Sequence, residues 1–132
     1  MKRLRDLQVG ESLQEVSLPP VSRLDLIKYA GASGDYNPIH TIDEEAEKAG
    51  LPGVIAHGMW TMGNLAKLFT PHYEEGFIQD YAVRFKGMVR LHDELILKAV
   101  LQDKDTLTFN VDASNQDGKA VIKGQVVMQY HG

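Results

Sequence analysis

The segment from Gly58 to Thr70 has polar side chains only at Thr61, Asn64, Lys67 and Thr70, while Met59, Trp60, Met62, Leu65, Ala66, Leu68 and Phe69 cover most of the circumference of any helix it forms. A helix this apolar has to be buried on most sides. Its Met and Trp residues are read as core, and Pro71 as its end. The last third of the chain supplies a cover. Tyr81, Val83, Phe85, Gly87 and Val89 alternate with Asp80, Arg84, Lys86 and Arg90. Leu107, Phe109, Val111 and Ala113 alternate with Thr106, Thr108, Asn110 and Asp112, and Ala120, Ile122, Val126, Met128 and Tyr130 keep the same period. A spacing of two is that of strands with one face buried. Turn residues at His92-Asp93-Glu94, from Gln102 to Asp105 and from Asn115 to Gly118 predict antiparallel hairpins joining these runs into a meander. Both elements lose their exposed apolar surface if the sheet curls around the helix, an α+β arrangement.

The first half of the chain predicts shorter pieces. A strand is expected near Glu11 to Leu18, stopped by Pro19-Pro20. Ser22, with Asp25 three residues on, predicts a capped helix running to about Ala32, and Gly34 suits a left-handed terminating position. Thr41 or Asp43 is the expected cap of a second short helix, with the acidic turn Asp43-Glu44-Glu45 at its start and Gly50 as its stop. At 132 residues, with no repeat, low-complexity tract or linker, the expectation is a single domain over 1–132.

Between the two helices lies Ser33 to His40, reading SGDYNPIH, and before the apolar helix lies Ile55 to Gly63, reading IAHGMWTMG. Asp35 and His40 are a carboxylate and an imidazole held five positions apart across an Asn-Pro turn, a candidate acid/base pair. A helix-to-loop connection also uses Gly, Asp, Asn and Pro, and a core histidine also donates to a carbonyl. The crowding of all these residues beside the least polar helix favours chemistry. Gly58 opens that helix, where unpaired N–H groups and the positive dipole end can receive a developing negative charge.

The run from Tyr29 to His40, followed by an acidic helix start and Ile55-Ala-His-Gly-Met59, resembles the hydratase signature of MaoC-like proteins, the (R)-specific enoyl thioester hydratases and dehydratases. The resemblance extends from Val9-Gly10-Glu11 through Arg84-Phe85 to the final strands. One departure is visible: many relatives carry Pro-Gly-Asp after the Arg-Phe strand, where this chain has Leu91-His92-Asp93. The resemblance implies the hot-dog fold, an antiparallel sheet wrapped around a long central helix. It implies reversible hydration of trans-2-enoyl thioesters to (3R)-3-hydroxyacyl thioesters, with Asp35 and His40 activating a water and the Gly58 N–H as oxyanion donor.

Asn37 is then expected to shape the turn or to touch water or substrate, and His57 to bond near the helix cap or to touch substrate. Arg84, Lys86 and Arg90 are candidate phosphate contacts by charge, a solvated strand face being the alternative. No redox cofactor or metal is needed, and coenzyme A or acyl carrier protein would carry the acyl group. The resemblance also implies a homodimer, or a heterodimer with a related subunit. A hot-dog thioesterase and a non-catalytic acyl-binding subunit are the rival readings.

Composition limits the partners. A formal charge of −4 gives no basic face for nucleic acid, and five histidines show neither HxxxH nor HExxH spacing, so no metal site is expected. The absence of cysteine excludes disulfides and thiolate catalysis. No run approaches the roughly 20 apolar residues of a membrane span, so a cytoplasmic protein with no membrane partner is expected.

Overall fold

Residues 2–132 are described in the computed structural model. The first helix, α1 (Arg23–Ser33), begins as its sequence requires. Ser22 Oγ accepts from the Asp25 N–H and the Asp25 carboxylate accepts from the Ser22 N–H, both at 3.1 Å, closing a capping box. Gly34, at φ 74°, ends the helix in the left-handed region.

The second helix, α2 (Asp43–Lys48), is capped differently from expectation. Ile42 occupies the cap position and provides no side-chain bond. Asp43 is drawn elsewhere: Oδ1 accepts from the Val54 N–H at 3.2 Å and Oδ2 from the Arg23 guanidinium at 2.8 Å. The Val54 N–H, and after it Arg23, hold this carboxyl below its ordinary range. A residue suited to capping instead ties α1 and α2 to the segment that precedes the third helix.

That helix, α3 (Gly58–Leu65), is shorter than the expected 58–70 span. The chain continues in single 3₁₀ turns, Ala66–Leu68 and Thr70–His72, so Pro71 lies inside a turn. Proline cannot donate to the carbonyl four residues back and its ring crowds that position, so the backbone tightens ahead of it.

Five strands form one antiparallel sheet: β1 (Val16–Ser17), β2 (Gly76–Phe85), β3 (Ile96–Asp103), β4 (Thr108–Ser114) and β5 (Ala120–Tyr130), in the order β1-β3-β4-β5-β2. The meander holds for β3, β4 and β5. It fails for β2, which pairs with β5 from Gly76↔Tyr130 to Phe85↔Ile122 rather than forming a hairpin with β3. The free edge of β3 is already taken by the N-terminal segment. The Gly10 N–H reaches the Leu101 carbonyl, the Leu13 N–H reaches that of Ala99, and the Leu18 N–H reaches that of Leu95, each at 2.9 Å. These intermittent bonds replace most of the strand expected over 11–18 and leave only the outer edge of β5 for β2. The alternation of β2 stops at Phe85, short of the expected Val89, where Lys86 and Gly87 both donate to the Val121 carbonyl.

The sheet curls around α3 as expected. Leu65, Leu68 and Phe69 pack with Phe109, Val111, Ile122 and Val126 in the core, Phe69 and Phe109 meeting edge to face at 5.4 Å. Tyr81 of β2 donates its hydroxyl to the Met62 carbonyl, and burial pushes the phenol up to about 12, so it remains a donor at neutral pH. Thr61, Leu65 and Leu68 share the helix face turned to the sheet. Met59 lies opposite them and is 56% exposed, against the expectation that it is core, while Trp60 and Met62 are half-buried against the core.

The Leu91-His92-Asp93 turn has its own signature. Asp93 is buried, with Oδ2 accepting from the Arg90 N–H at 2.8 Å and Oδ1 from the Gln116 amide at 3.0 Å. His92 has φ 70°, the left-handed region that glycine adopts without a Cβ penalty. A non-glycine residue there costs about 1 kcal/mol, partly offset by the larger unfolded-state entropy of glycine, about 0.4–1 kcal/mol. His92→Gly is therefore expected to leave the melting temperature unchanged or raise it by up to about 2 °C in calorimetry; a clear fall would mean that the imidazole makes a contact worth more than the strain.

Candidate active site

Beyond Gly34 the chain enters a turn held by its own side chains. Asp35 N–H donates to Ser33 Oγ, Asn37 N–H to Asp35 Oδ1 and Ile39 N–H to Asn37 Oδ1, each at 3.2 Å. Asn37 thus caps the single 3₁₀ turn Pro38–His40, with Pro38 presetting its backbone. The Asp35 side chain stays half in solvent at 54% exposure.

His40 is buried. Its Nδ1 lies 2.7 Å from the Ile55 carbonyl oxygen. A carbonyl only accepts, so Nδ1 carries the proton and Nε2 of the neutral ring keeps its lone pair. Ile55 is fixed in turn by neighbours on both sides. Asp43 holds the Val54 N–H, Ile55 N–H donates to the Ile39 carbonyl at 3.2 Å, and Ala56 N–H donates to the Val89 carbonyl at 2.8 Å. The second motif is therefore the mould that sets the tautomer of the first.

His57 is also buried; it occupies the N-cap position of α3, but its side chain makes no capping bond there. Its ring stacks on His40 with centroids 3.6 Å apart and planes 21° apart, with Tyr29 tilted against it at 4.9 Å. Nε2 donates to the Asp35 carbonyl at 3.0 Å and lies 3.7 Å from Asp35 Oδ2. His57 thus reaches back 22 positions to hold the Asp35 turn, in place of the expected local bond. Its Nδ1 and Thr61 Oγ are buried without a partner among the described residues.

The outcome is a cluster in which one carboxylate oxygen of Asp35 and one ring nitrogen each of His40 and His57 lie within 4.8 Å of one another. The sequence pointed to Asp35 and His40, and the fold adds His57. The same three donors are a set that a divalent ion requires, a grouping hidden by their spacing in sequence. As folded, His57 Nε2 is committed to the Asp35 carbonyl, and an ion would have to break that bond. One water, with hydrogen bonds of about 2.8 Å, could bridge atoms that lie within 4.8 Å of one another and leave that bond intact.

Gly58 follows directly. Its N–H, in the first turn of α3, has no acceptor among the described residues. The Phe85 ring lies across it, so closely that a Cβ added at Gly58 would stand 2.8 Å from a ring carbon. Arg84, a candidate phosphate contact by charge, lies on the face of β2 opposite Phe85, in register with Lys123.

A family model described as MaoC like domain matches residues 6–121. The mitochondrial 3-hydroxyacyl-[acyl-carrier-protein] dehydratase of Arabidopsis thaliana is 30% identical over 90 residues, 68% of this chain and 53% of the relative. Fatty acid synthase beta subunit TOXC of Cochliobolus carbonum is 34% identical over 103 residues, 74% of this chain and 5% of that much longer protein. This chain therefore spans about half of the first relative and a small part of the second. Among solved structures, the unliganded R-hydratase PhaJ1 of Pseudomonas aeruginosa superposes with a TM-score of 0.87 at 25% identity, over 97% of this chain and 84% of that one, so the fold is the hot-dog fold.

If His57 positions the Asp35 turn, His57→Phe keeps the stacking and removes only the donor. The expected loss is about 1 kcal/mol of stability. It should come with faster hydrogen exchange at the His40, Thr41 and Ile42 amides, which close the adjoining turn. Unchanged exchange at these amides would separate His57 from the turn.

Proposed function

The chain belongs to the MaoC-like domain family, and from that membership we propose that it catalyses the reversible hydration of trans-2-enoyl thioesters to (3R)-3-hydroxyacyl thioesters. The stereochemistry follows the R-hydratase to which the fold is similar. The observation that carries the reading is the convergence of the Asp35 carboxylate and the His40 imidazole, next to an unpartnered N–H at Gly58, which follows His57 of the same cluster.

Two acceptors facing one water grip both of its hydrogens and turn an oxygen lone pair outward. Asp35 takes a proton as that oxygen bonds to C3 of the substrate, and His40 Nε2 orients the water and takes part in the return of a proton to C2 on the same face. One O–H bond breaks, and C–O and C–H bonds form. Between these events the π electrons reside on the thioester oxygen as an enolate, and the Gly58 N–H is the donor offered to it. One such donor contributes about 3 kcal/mol to lowering a barrier elsewhere. A side chain at position 58 would meet the Phe85 ring where the thioester oxygen has to approach.

The reading is tested on the full chain by following loss of the enoyl absorbance of crotonyl-CoA. Asp35→Asn and His40→Gln are each expected to lower kcat/KM by about 10³-fold with the fold retained by circular dichroism. Near-normal turnover in either variant would remove that residue from the chemistry, and release of free thiol would make the protein a thioesterase instead.

Tyr36, Met59 and Phe85 are all more than half exposed in the single chain; Tyr36 follows Asp35, Met59 follows Gly58, and the Phe85 ring lies across Gly58. An apolar collar of this kind around a polar site favours a second copy as its cover, and we assign a homodimer. Light scattering should give about twice the 14.7 kDa chain mass. A monomer that shifts only when a related subunit is added would favour a heterodimer.

A further inference from the structure

Among the described residues, three buried side-chain atoms lack a hydrogen-bond partner: His57 Nδ1, Thr61 Oγ and His72 Nε2. His72 lies beyond α3, in the Thr70–His72 turn. The other two stand where α3 begins, His57 at its cap position and Thr61 four residues on. They are 3% and 2% exposed, so bulk solvent reaches neither. A folded chain rarely leaves a polar group unpaired in its interior, because the group gives up its water and receives nothing in exchange.

The needs of the two atoms are complementary. The Asp35 carbonyl only accepts, so the proton of the neutral His57 ring is on Nε2, and Nδ1 is a bare lone pair that requires a donor. A hydroxyl is one. Inside a helix a threonine hydroxyl often turns back to the carbonyl four residues earlier, which for Thr61 is that of His57. Thr61 makes no such bond, and the His57 carbonyl is occupied by the Trp60 N–H at 3.1 Å. Side chains four positions apart on a helix have Cβ atoms about 5–6 Å from each other. One water with bonds of about 2.8 Å bridges a pair at that spacing, accepting from the Thr61 hydroxyl and donating to Nδ1, so that both atoms are satisfied at once.

We propose that Thr61 is a positioning residue for the cluster: through one buried water its hydroxyl supports His57 Nδ1, and through the ring it supports the Nε2–H bond that holds the Asp35 turn. The same ring is stacked on His40 at 3.6 Å, so a His57 that turned to find a donor for Nδ1 would disturb both members of the pair. Thr61 lies on the sheet-facing side of α3 and touches neither the reacting water nor the substrate. The effect on His57 follows from the geometry alone, whereas the effect on turnover rests on the hydratase reading.

The test uses the full chain labelled with ¹⁵N, as wild type, as Thr61→Val, which keeps the shape and loses the hydroxyl, and as Thr61→Ser, which keeps the hydroxyl. In the wild type, magnetisation is expected to pass between a long-lived water and the Thr61 methyl group, and the His57 Nδ1 resonance is expected to be that of a hydrogen-bonded lone pair. In Thr61→Val this resonance should move toward that of a bare lone pair, the His40 and Thr41 amides should exchange faster, and kcat for crotonyl-CoA should fall about tenfold with KM unchanged. Thr61→Ser should restore all three. A wild-type protein without a bound water at Thr61, or a Thr61→Val protein with the wild-type His57 resonance, would overturn the proposal, and the first of these measurements stands even if the valine variant does not fold. Equal losses in the valine and serine variants would also overturn it, since they would trace to packing of the methyl group. If the wild-type protein turns over no enoyl thioester, the hydratase reading fails, and the His57 resonance and amide exchange still decide whether Thr61 supports the ring.

Discussion

The bond from His40 Nδ1 to the Ile55 carbonyl joins two motifs 15 residues apart and fixes which ring nitrogen donates a proton. Were Ile55 displaced, the imidazole would lose the acceptor that fixes its proton, and Nε2 would no longer be reliably a lone pair. Much of the surrounding structure therefore bears on one carbonyl. Asp43 reaches Val54 from α2, Ile39 accepts from Ile55, Val89 accepts from Ala56, and Arg90 bridges to Ile55. Each is a long-range contact, and together they allow a loop to hold a side chain as firmly as a helix would.

His57 adds a second bridge between the motifs, running the opposite way. His40 in the first motif donates to a carbonyl of the second, and His57 in the second donates to the Asp35 carbonyl in the first. The rings stack at 3.6 Å, so the two bonds support a single packed unit. The unit is polar and buried on the histidine side and open on the Asp35 side. That gradient is what a site for a water and an entering ligand requires.

What the sequence made legible was mostly local. The Ser22–Asp25 capping box, the stop at Gly34 and the Asn37-Pro38 turn are decided within a few residues, and each forms as read. Strand period and turn residues were enough for β4 and β5, while β3 was marked only by the turn residues on either side of it. The pairing of β2 was not legible, because it depends on which sheet edge the N-terminal segment leaves free. The missed cap at Asp43 has the same origin, since Arg23 and Val54 compete for its carboxylate and neither is near it in sequence. Asp35 and His40 stood out by crowding in one motif. His57 shared its motif with Gly58, yet its bond to Asp35 is a property of the folded chain alone. The exposed Met59 shows the limit of composition: an apolar helix needs cover, but composition does not say that one chain provides all of it.

The division of burial between Asp35 and His40 has a physical logic of its own. A carboxylate withdrawn from water without full pairing costs several kcal/mol, whereas a neutral imidazole with one donated bond is buried at little cost. The fold leaves Asp35 half in solvent and buries His40 against Ile55, so the apo protein avoids the larger penalty. A ligand that covers Asp35 removes its solvent and leaves the carboxylate to the Asn37 N–H and whatever water is trapped between it and His40. In that drier setting each remaining interaction strengthens, because the medium screens it less. On the proposed reaction, the acyl chain would thus do more than position C3 near the water. By displacing solvent it would tighten the hold of Asp35 on the one molecule that has to be deprotonated.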